Sequence, residues 1–272
     1  SPDQAGSPNL ELLRESLGLN DPFMVRYGRW LLKLSRGDFG YSLVSGMKIE
    51  TLIARTLPAT FELAILALIL STILSVGLGI LEAVKQNTWI DYVLSVLGVI
   101  GISIPQFFLA ILLIKIFALQ LGWFPIGGRL VEGVITLWGR LPNLVLPLTT
   151  MTVSMTAALM RYTRNSMLDV MNMDYVKTAR SKGIPEWKVY IKHIFRNALI
   201  PVVTVLCFRL PMLVGGAVVI ESVFSWPGIG SVILSALMSN DYPLILISTL
   251  MTAVVIMLAS LLVDLFTALL DP

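Results

Sequence analysis

The chain has 272 residues, of which 56% are hydrophobic and only 14% charged. A soluble domain carries about 25% charged residues, so this composition excludes intrinsic disorder, a nucleic-acid-binding arm and an ordinary water-soluble enzyme. A net charge of +3 says little by itself, so the placement of the charges must carry the topology. One Cys (Cys207) and one His (His193) exclude an intrachain disulfide and a Cys/His zinc site.

In chain order, the first 56 residues hold seven Lys/Arg and six acids and read as an external segment, residues 1–56, with a helix of its own. Asp21 is the expected N-cap, Pro22 the first helical position, and Gly37 lies past the end. Phe23, Tyr27, Trp30, Leu31 and Leu34 share one face, and Arg26, Arg29, Lys33 and Arg36 fill the other. Two readings stand: a docking surface for an external partner, or a helix lying in the membrane interface. The chain opens without Met, basic n-region or apolar h-region, so no signal peptide is read, and a segment upstream is expected.

A bilayer core of about 30 Å needs roughly 20 apolar helical residues. Five stretches qualify, near 57–81, 91–121, 143–160, 198–220 and 243–270, which makes 57–272 an all-α polytopic membrane domain. The second is overlong and carries Pro105 in its middle, so a kinked or tilted helix is expected. Segment 161–197 holds eight Lys/Arg and the link near 82–91 adds Lys85, against Arg129 and Arg140 on the opposite side. That asymmetry places 161–197 in the cytoplasm. The amino-terminal segment is then outside and the carboxyl terminus inside. Long segments translocate largely regardless of charge, so the basic residues before 57 do not oppose this.

The sequence holds no G-x-x-x-x-G-K-[ST], so the chain does not cradle nucleotide phosphates. Its lone His lies in the basic segment, away from any membrane-depth Ser, so a Ser–His dyad is excluded. Passage of a solute is the remaining role, driven by a gradient or by a partner. In the cytoplasmic segment, Asp174 is the expected N-cap of a short helix over 175–182, ended by Gly183. Its small residues suit a groove on another protein, and a solvated basic turn is the plain alternative. A second helical pattern follows, with Trp187, Ile191 and Ile194 on one face and Lys188, Lys192 and Arg196 on the other.

Residues 174–201, DYVKTARSKGIPEWKVYIKHIFRNALIP, resemble the cytoplasmic loop of ABC-importer permeases of the dipeptide/oligopeptide/nickel family. Lys177-Thr178-Ala179 stand where the family's EAA element has Glu-Ala-Ala, and Gly183 matches its glycine. Three further stretches agree: 38–43 (DFGYSL), 56–64 (TLPATFELA) and 217–230 (AVVIESVFSWPGIG). The departures at 177 and 178 resemble the peptide branch. The resemblance implies an ABC type I importer-like transmembrane domain with one more helix before these five. Also implied are a homologous second permease, two ATPase subunits, an extracytoplasmic solute-binding protein and a bacterial or archaeal cytoplasmic membrane. ATP and magnesium belong to the ATPases; this chain is expected to bind no cofactor, no metal and no nucleic acid, and to be catalytically inert. The short helix becomes an ATPase-coupling helix, with Asp174 and Gly183 as its ends. Its expected contact surface is Tyr175, Val176, Thr178, Ala179 and Arg180, beside Lys177.

Ionisable residues at membrane depth are functional candidates by default. Arg209 either faces the translocation pathway or forms an interhelical pair, with Glu62 or with a group on the partner permease. Glu62 is a candidate for the outer gate or a simple interfacial residue. Glu221 and Trp226 belong to the outer turn before Gly230, which reads as a gate, a binding-protein platform or an interfacial anchor. Met151 and Met155 read as core packing or as a permissive lining. Expected cargo is oligopeptides or dipeptides; nickel or another small solute on the same fold, and an ion-coupled secondary transporter, are the alternatives.

Overall fold

The structure, a computed structural model, describes residues 20–130 and 137–270. Among the described residues the chain is helical, with one isolated bridge between Tyr41 and Lys48. The elements are α1 (Phe23–Ser35), α2 (Ile49–Val84), α3 (Trp89–Ser103) and α4 (Gln106–Leu113, with π-helical Ile114–Gln120). They continue with α5 (Leu137–Met171), α6 (Asp174–Ser181), α7 (Glu186–Lys188, π-helical Val189–Phe195, then Arg196–Val223), α8 (Ile229–Met238) and α9 (Tyr242–Leu270).

Each expected span has a helix, but the boundaries move. α2 begins at Ile49, eight residues ahead of the expected edge at 57, and its 36 residues run about 54 Å at 1.5 Å each. It therefore overshoots a bilayer core even with tilt. Pro58 lies inside it and is absorbed without a break. The second span corrects the expectation of a kinked helix: α3 and α4 meet at 101°, a broken span or re-entrant turn. Ile104 is extended, at φ −79 and ψ 120, because Pro105 disfavours the helical conformation of the residue before it. α5 runs from Leu137 to Met171, so Arg161 and Arg164 ride on the membrane helix rather than in a loop. α2, α5, α9 and the α3–α4 pair have the length and apolarity to cross a membrane.

The expected cap of α1 is also revised. Pro22 holds the N-cap position, and Asp21 instead pairs with Arg29 at 2.5 Å. Phe23, Tyr27 and Trp30 stack in series along the exposed helix, while Trp30 and Leu34 reach the hydrophobic cluster of Ile49, Ile53, Ile229 and Ile247. Thus the described residues before α2 pack on α8 and on the start of α9 through Trp30, Leu34, Phe39 and Ser42.

Two other clusters order the bundle. One joins α2, α4, α5, α7 and the outer turn through Leu63, Ala67, Leu146, Met151, Ile220 and Trp226. The second, at the opposite end, joins Ala83 of α2 and Met167 of α5 to Val176, Ala179, Val189 and Ile194. Many leucines and isoleucines on α3 and α9 remain exposed, as a lipid-facing or subunit-facing surface requires.

Candidate functional site

The short helix α6 is built as a rigid stub. Asp174 is its first residue and Met173 the N-cap, so the expected capping role of Asp174 is corrected. The Asp174 carboxylate instead accepts from Lys177 at 2.9 Å, and that hydrogen bond and charge hold its carboxyl below the usual carboxylate range. At the other end, Gly183 sits at φ +71, a conformation costly for any residue with a Cβ. The Gly183 N–H bonds the Arg180 carbonyl, and the Ile184 N–H the Ala179 carbonyl, a Schellman closure. Ile184 then packs in the cluster that holds Ala179.

Burial divides the expected contact surface. Val176 and Ala179 point inward and are fully or almost fully buried, so they fasten the stub and do not present a surface. Tyr175, Lys177 and Thr178 face outward, with the Tyr175 hydroxyl accepting from Asn197 at 3.0 Å. Arg180 donates to Glu186 at 3.0 Å and so bridges the stub to the start of α7. The second helical pattern is likewise split. The π-helical turn of Val189–Phe195 buries Val189 and Ile194 together, and leaves Trp187 and Ile191 exposed.

At the opposite end the turn between α7 and α8 is clamped into the bundle. Glu221 and Trp226 are both fully buried. The Thr60 hydroxyl donates to Glu221 at 2.5 Å and accepts from the Ile229 N–H at 2.8 Å. The Ser231 N–H donates to the second Glu221 oxygen at 3.1 Å, and the Trp226 indole N–H to the Ala59 carbonyl at 2.9 Å. A Cβ on Gly228 would overlap the Glu221 carboxylate, so the W-P-G-x-G pattern is the steric condition for burying that acid. Met151 is also buried, whereas Met155 is half-buried. Glu221, Trp226 and Met151 are therefore buried within this subunit's own packing, and Glu221 and Trp226 also border a cavity with Ser222, Ser225 and Ser231.

The charges resolve differently from the expected pairing. Glu62 takes the guanidinium of Arg129, through Nε at 2.9 Å and through Nη2, which pins the loop after α4 onto α2. Arg209 is not its partner; half-buried on α7, it donates to the Met155 carbonyl of α5.

Two polar clusters escaped the sequence reading. Asp241 is buried ahead of α9 and accepts from the Ser42 hydroxyl at 2.5 Å and from the Leu43 N–H at 3.1 Å. It accepts also from the Val44 and Leu244 N–H groups. Burial pushes its carboxyl up, but these donors outweigh it and hold the group below the ordinary carboxylate range. Beside the α2–α3 link, Arg164 grips Asp91 through two bonds of 2.9 and 3.0 Å and lies 3.4 Å from Glu82. The one available signal was that all three sit at the limits of neighbouring expected spans.

The fold is that of ABC-importer transmembrane subunits. It aligns with the methionine ABC transporter MetNI in an inward-facing form at TM-score 0.66, 16% identity, covering 82% of this chain and 98% of that one. An amino acid ABC transporter crystallised with histidines aligns at TM-score 0.63 and 16% identity, covering 80% and 94%. The chain belongs to the family of binding-protein-dependent transport system inner membrane components, whose match covers residues 75–272. Among its relatives, the oligopeptide transport system permease protein AppB of Bacillus subtilis is 39% identical over 95% of this chain and 82% of its own length. The dipeptide transport system permease protein DppB of Alkalihalophilus pseudofirmus is 38% identical over 99% of this chain and 87% of its own.

Proposed function

We propose that this chain is one of two homologous permease subunits of an ATP-driven importer that carries oligopeptides or dipeptides into the cell. The observation that carries the reading is the α6 stub, locked along Val176 and Ala179 and open along Tyr175, Lys177 and Thr178. A helix held on one face transmits a push applied to the other, because a close-packed interior does not absorb displacement. Two ATPase subunits supply that push on binding ATP and magnesium, and this chain does no chemistry itself. Outside, a solute-binding protein delivers the cargo, so residues 161–197 are cytoplasmic and the segment before α2 is external. The pair of permeases then exchanges inward- and outward-facing states, biased by nucleotide.

Peptides are favoured over nickel or another small solute because the relatives quoted above are named for oligopeptide and dipeptide transport. Arg209 is the pathway candidate among the ionisable groups: among the described residues it gives one donor to a backbone carbonyl, at a half-buried position on α7.

The test is Thr178→Trp, which adds bulk to the outward face and leaves the inward face intact. The variant is expected to lose co-purification with the ATPases and ATP-dependent uptake of a labelled peptide. Full retention of both would overturn the assignment of α6.

A further inference from the structure

We infer that Arg164 is a positioning residue for transport: it fastens the α2–α3 hairpin to α5, so that the hairpin moves as one body with α6. The inference rests on the reading of α6 as the element that receives the ATPase stroke.

The connection begins in the chain itself. α5 runs unbroken to Met171, and only residues 172–173 separate it from Asp174. A displacement of α6 therefore arrives at the inner end of α5. Met167, three residues after Arg164, is buried among Val176, Ala179 and the Ala83 side chain of α2. So α6, the end of α5 and the end of α2 already share one packed cluster.

Immediately above that cluster stands the charged group. Arg164 donates through Nε and Nη2 to the two oxygens of Asp91, at 2.9 and 3.0 Å. Its Nε also lies 3.4 Å from Glu82. Asp91 accepts from the Asn87 N–H at 2.9 Å, fixing a link residue that holds φ +62. Glu82 accepts from the Ser95 hydroxyl at 2.5 Å. One guanidinium thus ties the last turn of α2, the link and the first two turns of α3 to α5. Only the planar fork of Arg can grip a carboxylate by two parallel bonds; an ammonium offers a point charge.

Sliding is blocked as well as separation. A Cβ on Gly79 of α2 would stand 2.7 Å from the Met160 carbonyl oxygen and from Thr163 Cβ, both on α5. On α3, Gly98 presses against Met160 and Gly101 against Ala157. Backbone and small side chains interlock there, and the ion pairs close the inner end. The rigid body stops at Ile104, where the chain turns by 101° into α4. The cost of removing Arg164 is also specific: Asp91 and Glu82 are both buried, and Glu82 Oε2 already lacks a hydrogen-bond partner among the described residues. The two carboxylates would then lose the guanidinium that lies against both, with Arg161 the remaining cation near Glu82.

The experiment places spin labels at exposed Gln86, in the link, and Lys182, at the end of α6, in a Cys207→Ala background. Distances are read by electron–electron double resonance in the permease–ATPase complex in nanodiscs, with and without ATP, alongside peptide uptake per ATP hydrolysed. In the otherwise native chain, one narrow distribution at the same distance in both states is expected. Arg164→Gln should broaden it, and should lower uptake per ATP by about fivefold or more, the scale of a modest coupling energy. Arg164→Lys should fall between. If Arg164→Gln does not fold, Asp91→Asn weakens the same grip and is read in the same way. A shift of the native distance with ATP overturns the inference, as does a variant that keeps both the narrow distribution and the native coupling. Failure of the ATPases to engage α6 is a separate result: it removes the α6 reading, while the distance measurement on the permease alone still judges Arg164.

Discussion

Thr60 of α2 and Glu221 of α7 share a buried hydrogen bond of 2.5 Å, and the same hydroxyl accepts from the Ile229 N–H at 2.8 Å. Thr60 thus satisfies the acid and the start of α8 with one oxygen. Thr60→Val keeps the shape and removes both bonds. An unsatisfied buried polar group costs about 1–3 kcal/mol, more when charged. A loss of about that size in a denaturant or thermal unfolding series in detergent is expected, with Thr60→Ser retaining most of the stability. An unchanged midpoint for the Val variant would show that the acid finds another donor.

Gly228 tests the same site by crowding. A Cβ there overlaps the Glu221 carboxylate, and overpacking of a filled interior costs about 1–3 kcal/mol. Gly228→Ala should destabilise the chain by that amount or more. Combined with Glu221→Ala, it should recover part of the loss, a favourable coupling of about 0.5–3 kcal/mol in a double-mutant cycle. Strict additivity would refute the steric account.

Asp241 makes stability depend on pH. Its carboxyl is held below the ordinary value by Ser42 and by the Leu43, Val44 and Leu244 amides, despite burial. In the unfolded chain it titrates at about 3.9. A depressed folded value means that the unfolded chain binds the proton more readily, so the stabilisation is present in full above that pH. It is lost as pH falls through the folded value. Unfolding scans from pH 7 to pH 3 should therefore fall more steeply for the native chain than for Asp241→Asn. Parallel curves would remove the acid from the account.

The helical class and the spans were readable because apolar runs and charge counts are local properties of sequence. So was α6: a small-residue piece before a Gly is a helix with a defined stop wherever it occurs. The pairing of charges was not legible. Glu62 and Arg129 are 67 positions apart, and Arg209 was an equally reasonable partner until the outer loop was seen folded onto α2. Likewise the two faces of α6 look alike in sequence, because Ala179 and Thr178 are both small; only the packing of Met167 and Ile194 decides which one is inside.

Composition by itself determined that this is a polytopic helical membrane protein, and charge placement that eight of its basic residues gather in 161–197. Its 56% apolar content must find lipid or core, and Lys and Arg must find water or a partner. What only the tertiary structure decided is the use of the polar minority. Glu221 and Trp226 are held in an internal clamp, because their neighbours at Thr60 and Ala59 come from a helix more than 150 positions earlier. Arg164, one of eight basic residues counted for topology, became the tie between three helices, because Asp91 and Glu82 are brought to it at the same depth. Burial makes each of these bonds matter, and burial is a property of the assembled bundle.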